Sequence, residues 1–202
     1  MTFIYLHGFR SSPASAKATR FAAAVAALPP AVRPALVVPE LAERPARAMA
    51  AVDAVVCNAP APVCMVGSSL GGFYATVAAE RHGVRAALIN PAVRPDEDLR
   101  AHVGVQTNLH TGAPFEVTAA HFDELRAMRV DRISRPDRYF LLVQTGDEVL
   151  DYRQALAFYA GAWQFVQGGG DHAFTGFEAQ IPAILAFGGL HRSAGPLCTA
   201  HS

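Results

Sequence analysis

Short apolar runs alternate with longer helical segments along this chain, and this alternation is the feature that most restricts its fold. The apolar runs are rich in β-branched residues and are predicted as strands: Thr2 to Leu6, Ala35 to Val38, Val63 to Val66, Ala86 to Ile89, Tyr139 to Gln144 and Trp163 to Val166. The longer segments carry apolar residues at helical spacing: Ser15 to Leu28, Arg44 to Asn58, Leu70 to His82, Asp151 to Tyr159 and Phe174 to Phe187. Strands joined through helices of this length predict a parallel sheet that is buried on both faces.

The predicted fold is therefore a compact α/β fold with a doubly wound parallel sheet of about six strands and helices on both faces. We expect the strand order 2-1-3-4-5-6, with a functional site at the carboxyl edge where that order reverses. A length of 202 residues fits one domain. We assign residues 1–187 to this domain and residues 188–202, which lack periodicity, to a mobile C-terminal tail.

One insertion interrupts the alternation, from Arg94 to Asp137. Helical patterning over Asp96 to His102 and Thr118 to Met128 flanks an irregular segment rich in Gly, Asn, Thr and Pro. Long excursions of this kind often cover an active site, so the insertion is predicted to form a small cap, with a purely surface role as the alternative. Its apolar residues could wall an acyl pocket: Leu109, Phe115, Val117, Phe122 and Leu125.

Charge and cysteine content exclude several classes of function. Lys plus Arg equals Asp plus Glu at 17 each, which leaves no electrostatic footprint for nucleic acid or an anionic membrane. Cys57, Cys64 and Cys198 form neither a disulfide framework nor a metal-binding pattern. A strand directly behind Met1 leaves no room for a signal peptide, and the stretch from Phe21 to Val32 is too short to span a membrane. A cytoplasmic protein is expected.

The pentapeptide Gly67-Ser68-Ser69-Leu70-Gly71 matches the G-x-S-x-G pattern. It lies between the apolar run VCMV and the helical segment that begins at Leu70, which is the strand-turn-helix context that this motif requires. Such a turn strains the serine backbone and exposes its hydroxyl at a helix N-terminus, where developing negative charge is favoured. Ser69 is therefore predicted as a nucleophile, and the alternative is a glycine-rich turn that only permits close packing.

A serine hydroxyl needs a base to remove its proton, and position selects among the eight histidines. His172 follows the last predicted strand in the sequence GGGDH, where a sheet of this kind presents a base on a loop at its carboxyl edge. His7, at the end of the first strand, is the nearest rival. The other histidines fall on helices, in the insertion or in the tail: His82, His102, His110, His121, His191 and His201.

An acidic side chain must hold the imidazole in the correct tautomer. Asp147 directly follows the penultimate predicted strand, with Glu148 and Asp151 as alternatives, although Asp151 is better placed to cap the next helix. The chain order Ser69, Asp147, His172 is that of the α/β-hydrolases.

Two backbone N–H groups should bind the oxyanion that forms during acyl transfer. The first is predicted to be that of Leu70, the residue after the nucleophile. The second is predicted to be that of Phe9, because the first strand ends in Leu6-His7-Gly8-Phe9 and glycine allows this loop to approach closely. A simple strand-ending turn is the alternative for this segment.

Several segments together resemble one known family: YLHGFRSSPASAKA, GSSLGGFYAT, LINPAVRP, LLVQTGDEVLDYRQA and GGGDHAFTGFE. They are similar to the YqiA/YcfP-type small bacterial esterases, the UPF0227 group of the α/β-hydrolase superfamily, over about residues 3 to 187. The resemblance implies a compact hydrolase core, esterase activity on acyl esters, and a catalytic triad at Ser69, Asp147 and His172. Arg10 replaces the Asn that commonly follows HGF in that group, which bears on substrate preference.

The residues and the resemblance together predict a serine esterase that acts on a small-molecule acyl ester and requires no metal or organic cofactor. An acyl-CoA thioesterase with the same triad is the first alternative, because Arg10 or arginines of the insertion could meet phosphates. A non-catalytic binding protein of the same fold is the second, although its usual signature is a lost triad residue.

Overall fold

The structure is a computed structural model that describes residues 1–190, and its framework is a mostly parallel sheet. The described chain contains eight strands: β1 (Thr2–Leu6), β2 (Ala35–Val37), β3 (Val63–Ser68), β4 (Arg85–Ile89), β5 (Gly104–Thr107), β6 (Pro114–Val117), β7 (Tyr139–Gln144) and β8 (Trp163–Gln167). Six of them form one parallel sheet in the order β2-β1-β3-β4-β7-β8. The predicted fold class and strand order are confirmed, and the order reverses between β1 and β3.

Seven helices accompany these strands within the described residues: α1 (Ala16–Ala26), α2 (Pro45–Asn58), α3 (Leu70–His82), α4 (Pro95–Asp98), α5 (Ala119–Met128), α6 (Tyr152–Phe158) and α7 (Ile181–Gly188). The predicted final helix from Phe174 was wrong over its first half. Phe174 and Gly176 have φ angles of 62° and 80°, which are left-handed, so only a 3₁₀ turn at Phe177–Gln180 precedes α7. Gly188, which we assigned to the tail, is the last residue of α7.

The side chains of β1 alternate between two hydrophobic clusters, one on each face of the sheet. Ile4 and Leu6 join the cluster formed with α2 and α3, whereas Phe3 and Tyr5 join the cluster formed with α1 and α7. Because both faces are covered, the whole of β1 is buried, which is why its residues after Thr2 are hydrophobic instead of alternating with polar ones.

The irregular part of the insertion forms an antiparallel hairpin, which the sequence analysis missed. Strands β5 and β6 pair from Gly104 opposite Val117 to Thr107 opposite Pro114. The Asn108 side chain stabilises the turn, because its Oδ1 accepts hydrogen bonds from the N–H groups of His110 and Thr111 at 2.9 and 3.1 Å. The insertion therefore carries defined structure beside the sheet.

Helix α5 anchors the insertion to the body of the protein. The Glu124 carboxylate pairs with Arg44 and accepts a hydrogen bond of 3.0 Å from the Ala46 N–H at the start of α2. Leu125 packs in the cluster that contains α2 and α3.

None of the helices within residues 1–190 is both long and apolar enough to cross a membrane. Cys57 is exposed and Cys64 buried, both as free thiols, and Cys198 lies outside the described residues.

Candidate active site

Ser69 occupies a strained turn between β3 and α3. Its φ and ψ angles are 55° and −123°, a conformation that residues with a side chain rarely adopt. Backbone hydrogen bonds hold the turn from both sides, because the Ser69 N–H donates to the Ile89 carbonyl at 3.1 Å and the Ala92 N–H donates to the Ser69 carbonyl at 3.1 Å. The strain is therefore maintained by β4 and the segment that follows it.

The two glycines of the G-x-S-x-G pattern are required by close backbone packing. A Cβ atom on Gly67 would lie 2.4 Å from the carbonyl oxygen of Gly71, and one on Gly71 would lie 2.1 Å from that of Leu6. Both contacts are with backbone atoms, which cannot move away as a flexible side chain could. The motif thus reflects a steric requirement of the turn that presents Ser69.

A continuous hydrogen-bond chain links Ser69 to two residues that are distant in sequence. The Nε2 atom of His172 lies 3.1 Å from Ser69 Oγ, and its Nδ1 atom lies 2.9 and 3.0 Å from the two carboxylate oxygens of Asp147. A carboxylate can only accept, so Nδ1 carries the proton and Nε2 is left to accept from the serine hydroxyl. Such an arrangement can remove the proton from an attacking serine.

Asp147 follows β7 in a turn that favours its charged form. Burial of this carboxyl group opposes ionisation, but hydrogen bonds from His172, Leu150 and Val149 outweigh burial and lower the pKa of Asp147. The N–H groups of Val149 and Leu150 each donate to Oδ1 at 2.9 Å. The side chain of Asp147 is 2% exposed and that of His172 is 22% exposed, so the imidazole faces the surface and the carboxylate lies beneath it.

The rival residues from the sequence have other partners. Asp151 accepts a hydrogen bond of 3.0 Å from the Arg153 N–H and caps α6, as expected. Glu148 accepts a 2.9 Å hydrogen bond from the backbone N–H of His172 and so holds the main chain of that residue. His7 is buried, and its Nδ1 atom donates to the Gly8 carbonyl at 3.1 Å.

The loop that carries His172 is held by two buried amides that the sequence analysis missed. Asn90 donates from Nδ2 to the carbonyls of Asp171 and His172 at 3.0 and 3.3 Å, and its Oδ1 accepts from the Gln144 N–H at 3.0 Å. Gln144 accepts from the Asp171 N–H at 3.0 Å and donates to the Thr175 carbonyl at 2.7 Å. Each amide ends an apolar strand run, and this was the signal available in the sequence.

The loop after β1 approaches Ser69 on its other side. A Cβ atom on Gly8 would lie 3.1 Å from Ser69 Cβ, so a larger residue would press on the serine. Leu70 is the first residue of α3, and the backbone hydrogen bonds of residues 1–190 include none donated by the Phe9 or Leu70 N–H. Leu70 adjoins Ser69 along the chain and Phe9 follows the glycine that packs against it, so both predicted oxyanion donors lie in the two segments that meet at Ser69.

A cleft of about 410 Å³ opens over Ser69 and His172. Of the apolar insertion residues predicted to wall an acyl pocket, Leu109 lines this cleft, while Phe115 packs edge-on against Phe9 with ring centroids 5.8 Å apart. Val117, Phe122 and Leu125 are buried and do not line it, so the expectation that they would is wrong. The insertion contributes to the cleft through the turn of its hairpin.

Solved structures with a similar fold are hydrolases and esterases. A protein from Agrobacterium vitis S4, assigned as a hydrolase, aligns with a TM-score of 0.73 at 20% identity, covering 92% of this chain and 87% of its own. The alpha/beta hydrolase domain-containing protein 10 from mouse aligns with a TM-score of 0.69 at 17% identity, covering 91% and 87%. Est1E from Butyrivibrio proteoclasticus aligns with a TM-score of 0.66 at 18% identity, covering 92% of this chain and 86% of its own. The chain therefore has the α/β-hydrolase fold.

The family follows from the sequence. The model of the uncharacterised protein family UPF0227 matches residues 2–189, which is nearly the whole chain. This protein belongs to the UPF0227 family, and the predicted resemblance is confirmed.

Proposed function

We propose that this protein is a serine esterase that hydrolyses carboxylic esters through a covalent acyl-enzyme intermediate. In this proposal Ser69 is the nucleophile, His172 the general base and acid, and Asp147 the residue that orients the imidazole. The observation that carries it is the hydrogen-bond chain from Asp147 through His172 to Ser69, with links of 2.9 and 3.1 Å. A binding protein of the same fold would not need this chain to be complete.

The first step is the attack of Ser69 Oγ on the ester carbonyl carbon. As the C–O bond forms, the hydroxyl proton passes to His172 Nε2 and the carbonyl π electrons move to the oxygen. The N–H groups of Phe9 and Leu70 donate to that oxyanion. The positive charge on the imidazole is balanced by Asp147, whose lowered pKa keeps it ionised at neutral pH.

The intermediate then collapses to the acyl-enzyme. The carbonyl re-forms, the bond between the carbonyl carbon and the alkoxy oxygen breaks, and the leaving alcohol takes the proton from His172. Water attacks the Ser69 ester in the same way, giving its proton to His172. Collapse of this second intermediate releases the carboxylic acid and returns the proton to Ser69 Oγ.

The test is the replacement of Ser69 by Ala, assayed with a 4-nitrophenyl ester and with a fluorophosphonate probe. We expect turnover to fall by up to about 10⁶-fold, and probe labelling to disappear, because loss of a triad nucleophile has an effect of this size. The adjacent serine offers a matched control, since Ser68→Ala should still be labelled. Labelling of Ser69→Ala, or its loss in Ser68→Ala alone, would show that the nucleophile is wrongly assigned.

Comparing kcat/KM for an alkyl ester with that for the thioester of the same acyl group separates an esterase from a thioesterase, because an acyl-CoA thioesterase would strongly prefer the thioester. An alkoxide leaving group needs a proton from His172, whereas a thiolate is stable enough to leave without one. We therefore expect His172→Ala to slow ester cleavage more than thioester cleavage.

A further inference from the structure

The cleft over Ser69 carries more positive charge than the chain as a whole. Arg10, Lys17 and Arg20 line it, and within the described chain no aspartate or glutamate does so. Acidic and basic residues are balanced over the full sequence, at 17 each. The excess of cations is therefore local to the candidate active site, where a concave surface concentrates its effect.

Arg10 is held in place by the hairpin and keeps part of its guanidinium available. Its Nε atom donates to the Thr107 carbonyl at 3.0 Å, and its own carbonyl accepts from the Leu109 N–H at 2.9 Å. The backbone of Arg10 is left-handed, with φ 55°. Within residues 1–190 no carboxylate lies within 4.0 Å of Arg10, so its charge is not neutralised by an ion pair.

Lys17 approaches the cleft from α1, next to the loop that carries the base. Its Nζ atom donates to the Ala173 carbonyl at 2.9 Å, which uses one of the three ammonium protons. Burial lowers the pKa of Lys17, while the negative charges of Asp171 and Asp147 raise it. Neither carboxylate forms an ion pair with Lys17 within 4.0 Å in the described chain. An anionic ligand beside this ammonium would offset its loss of solvation.

Arg20 differs from the other two cations because Glu178 pairs with it at 2.9 Å. Because that pair offsets the charge of Arg20, the N-terminus of α1 is the other contributor of positive potential on this side of the cleft. Ser15 caps this eleven-residue helix without a hydrogen bond from its side chain, and it lines the same cleft. The helix dipole favours negative charge at this end.

We propose that the ester substrate carries an anionic group, a carboxylate or a phosphate, which is bound by Arg10 and Lys17 in the cleft over Ser69. This inference rests on the esterase function proposed above. Both chemistries offer the oxygen acceptors that a guanidinium and an ammonium bind with charge-assisted hydrogen bonds. A neutral substrate would leave the two cations with their backbone carbonyls but without an anionic partner.

The test compares three 4-nitrophenyl esters that differ in charge at the far end of the acyl chain. One is the mono-ester of glutaric acid, the second is its methyl ester, and the third carries a phosphonate in place of the carboxylate. Rates are corrected for the background measured with Ser69→Ala. We expect kcat/KM for at least one anionic ester to exceed that of the neutral ester by about tenfold or more, which is typical of hydrogen bonds to charged groups. The better anion identifies the carboxylate or the phosphate source.

Two variants and a control locate the effect. Arg10→Gln and Lys17→Gln should each reduce the ratio of anionic to neutral kcat/KM by about tenfold. The ratio cancels any general loss of activity, such as a shift of the His172 loop when Lys17 is changed. Arg33→Gln is the matched control, because the Arg33 guanidinium also donates to a backbone carbonyl, that of Leu28, but lies outside the cleft. It should leave the ratio unchanged.

Each remaining outcome has a separate meaning. If the neutral ester is cleaved as well as both anionic esters, this inference is overturned while the esterase function stands. If both variants keep the wild-type ratio, Arg10 and Lys17 do not bind the anion and the inference is wrong. If no ester is cleaved and the fluorophosphonate does not label Ser69, the proposed function itself fails, and this inference with it.

Discussion

The two sides of the cleft are held by different kinds of contact. The acid–base side comprises the loops after β7 and β8, which carry Asp147 and His172, and buried amides at the sheet edge hold the loop after β8. The hairpin side comprises residues 7–11 and the hairpin of β5 and β6. That side is fixed by hydrogen bonds, such as the one of 3.0 Å from Asn108 Nδ2 to the Ser11 carbonyl, and by the aromatic contact between Phe9 and Phe115. Leu109 there is 71% exposed.

Under the proposed function, this difference separates proton transfer from substrate selection. Proton transfer requires heavy atoms within hydrogen-bond reach, and buried polar networks supply that rigidity. An exposed hairpin tolerates substitution without loss of the core, which suits a surface that determines which ester is bound. Changes on the acid–base side should therefore affect the rate for every substrate, whereas side-chain changes on the hairpin side that leave the Phe9 N–H in place should affect the choice among substrates.

Asp147→Asn tests the acid–base side most directly. The amide can be accommodated in the same space but no longer fixes the imidazole tautomer, so kcat should fall by about 10⁴-fold for all esters. Steady-state kinetics on several chain lengths measure this. Asp151→Asn is the matched control and should stay close to wild type, since Asp151 caps α6. A larger loss in Asp151→Asn would mean that the cap and the acid have been exchanged.

Asn90→Leu tests whether the buried amides position the base. The substitution removes the hydrogen bonds to Asp171 and His172 and the acceptor for the Gln144 N–H, leaving buried partners unpaired. A base displaced by about 1 Å loses on the order of 10²-fold in rate, so we expect a fall of that size in kcat and in fluorophosphonate labelling.

The control for this change is Asn58→Leu, whose amide donates to the Ala54 carbonyl at the exposed end of α2. It should not alter either rate. Equal labelling rates for Asn90→Leu and the wild type would remove the positioning role and weaken the contrast between the two sides.

The sequence predicted the parts of the site that follow strand ends. Ser69, Asp147 and His172 each come directly after a strand, and parallel strands bring their carboxyl ends to one edge, so topology alone predicts that they converge. Asn90 and Gln144 also stand at strand ends, but that position does not assign them a role. Their function depends on contacts with a loop 81 and 27 residues further along the chain, and no local pattern reveals such contacts.

The hairpin was missed for a different reason. Its strand β5 alternates between intermediate and exposed residues, so it shows neither a continuous apolar run nor a clear buried face. Val117, Phe122 and Leu125 were expected in the cleft because they are apolar and lie in the insertion, but they are buried elsewhere. Apolarity predicts burial, while the cavity that a residue faces depends on the packing of α5 on α2.

The smallest expected effect concerns acyl chain length on the hairpin side. Each methylene buried against Leu109 would contribute at most about 0.8 kcal/mol, so kcat/KM should rise by no more than about fourfold per carbon until the cleft is filled. Because Leu109 is largely exposed, Leu109→Ala should lower kcat/KM for the longer esters by only a few-fold relative to the shortest ester. It should not change the reaction of Ser69 with a small phosphonate. Phe122→Ala provides the contrast: this side chain is 7% exposed and does not line the cleft, so its loss should lower thermal stability but leave the chain-length profile intact. A changed profile in Phe122→Ala with an unchanged one in Leu109→Ala would place acyl selection on the buried part of the insertion instead of its hairpin.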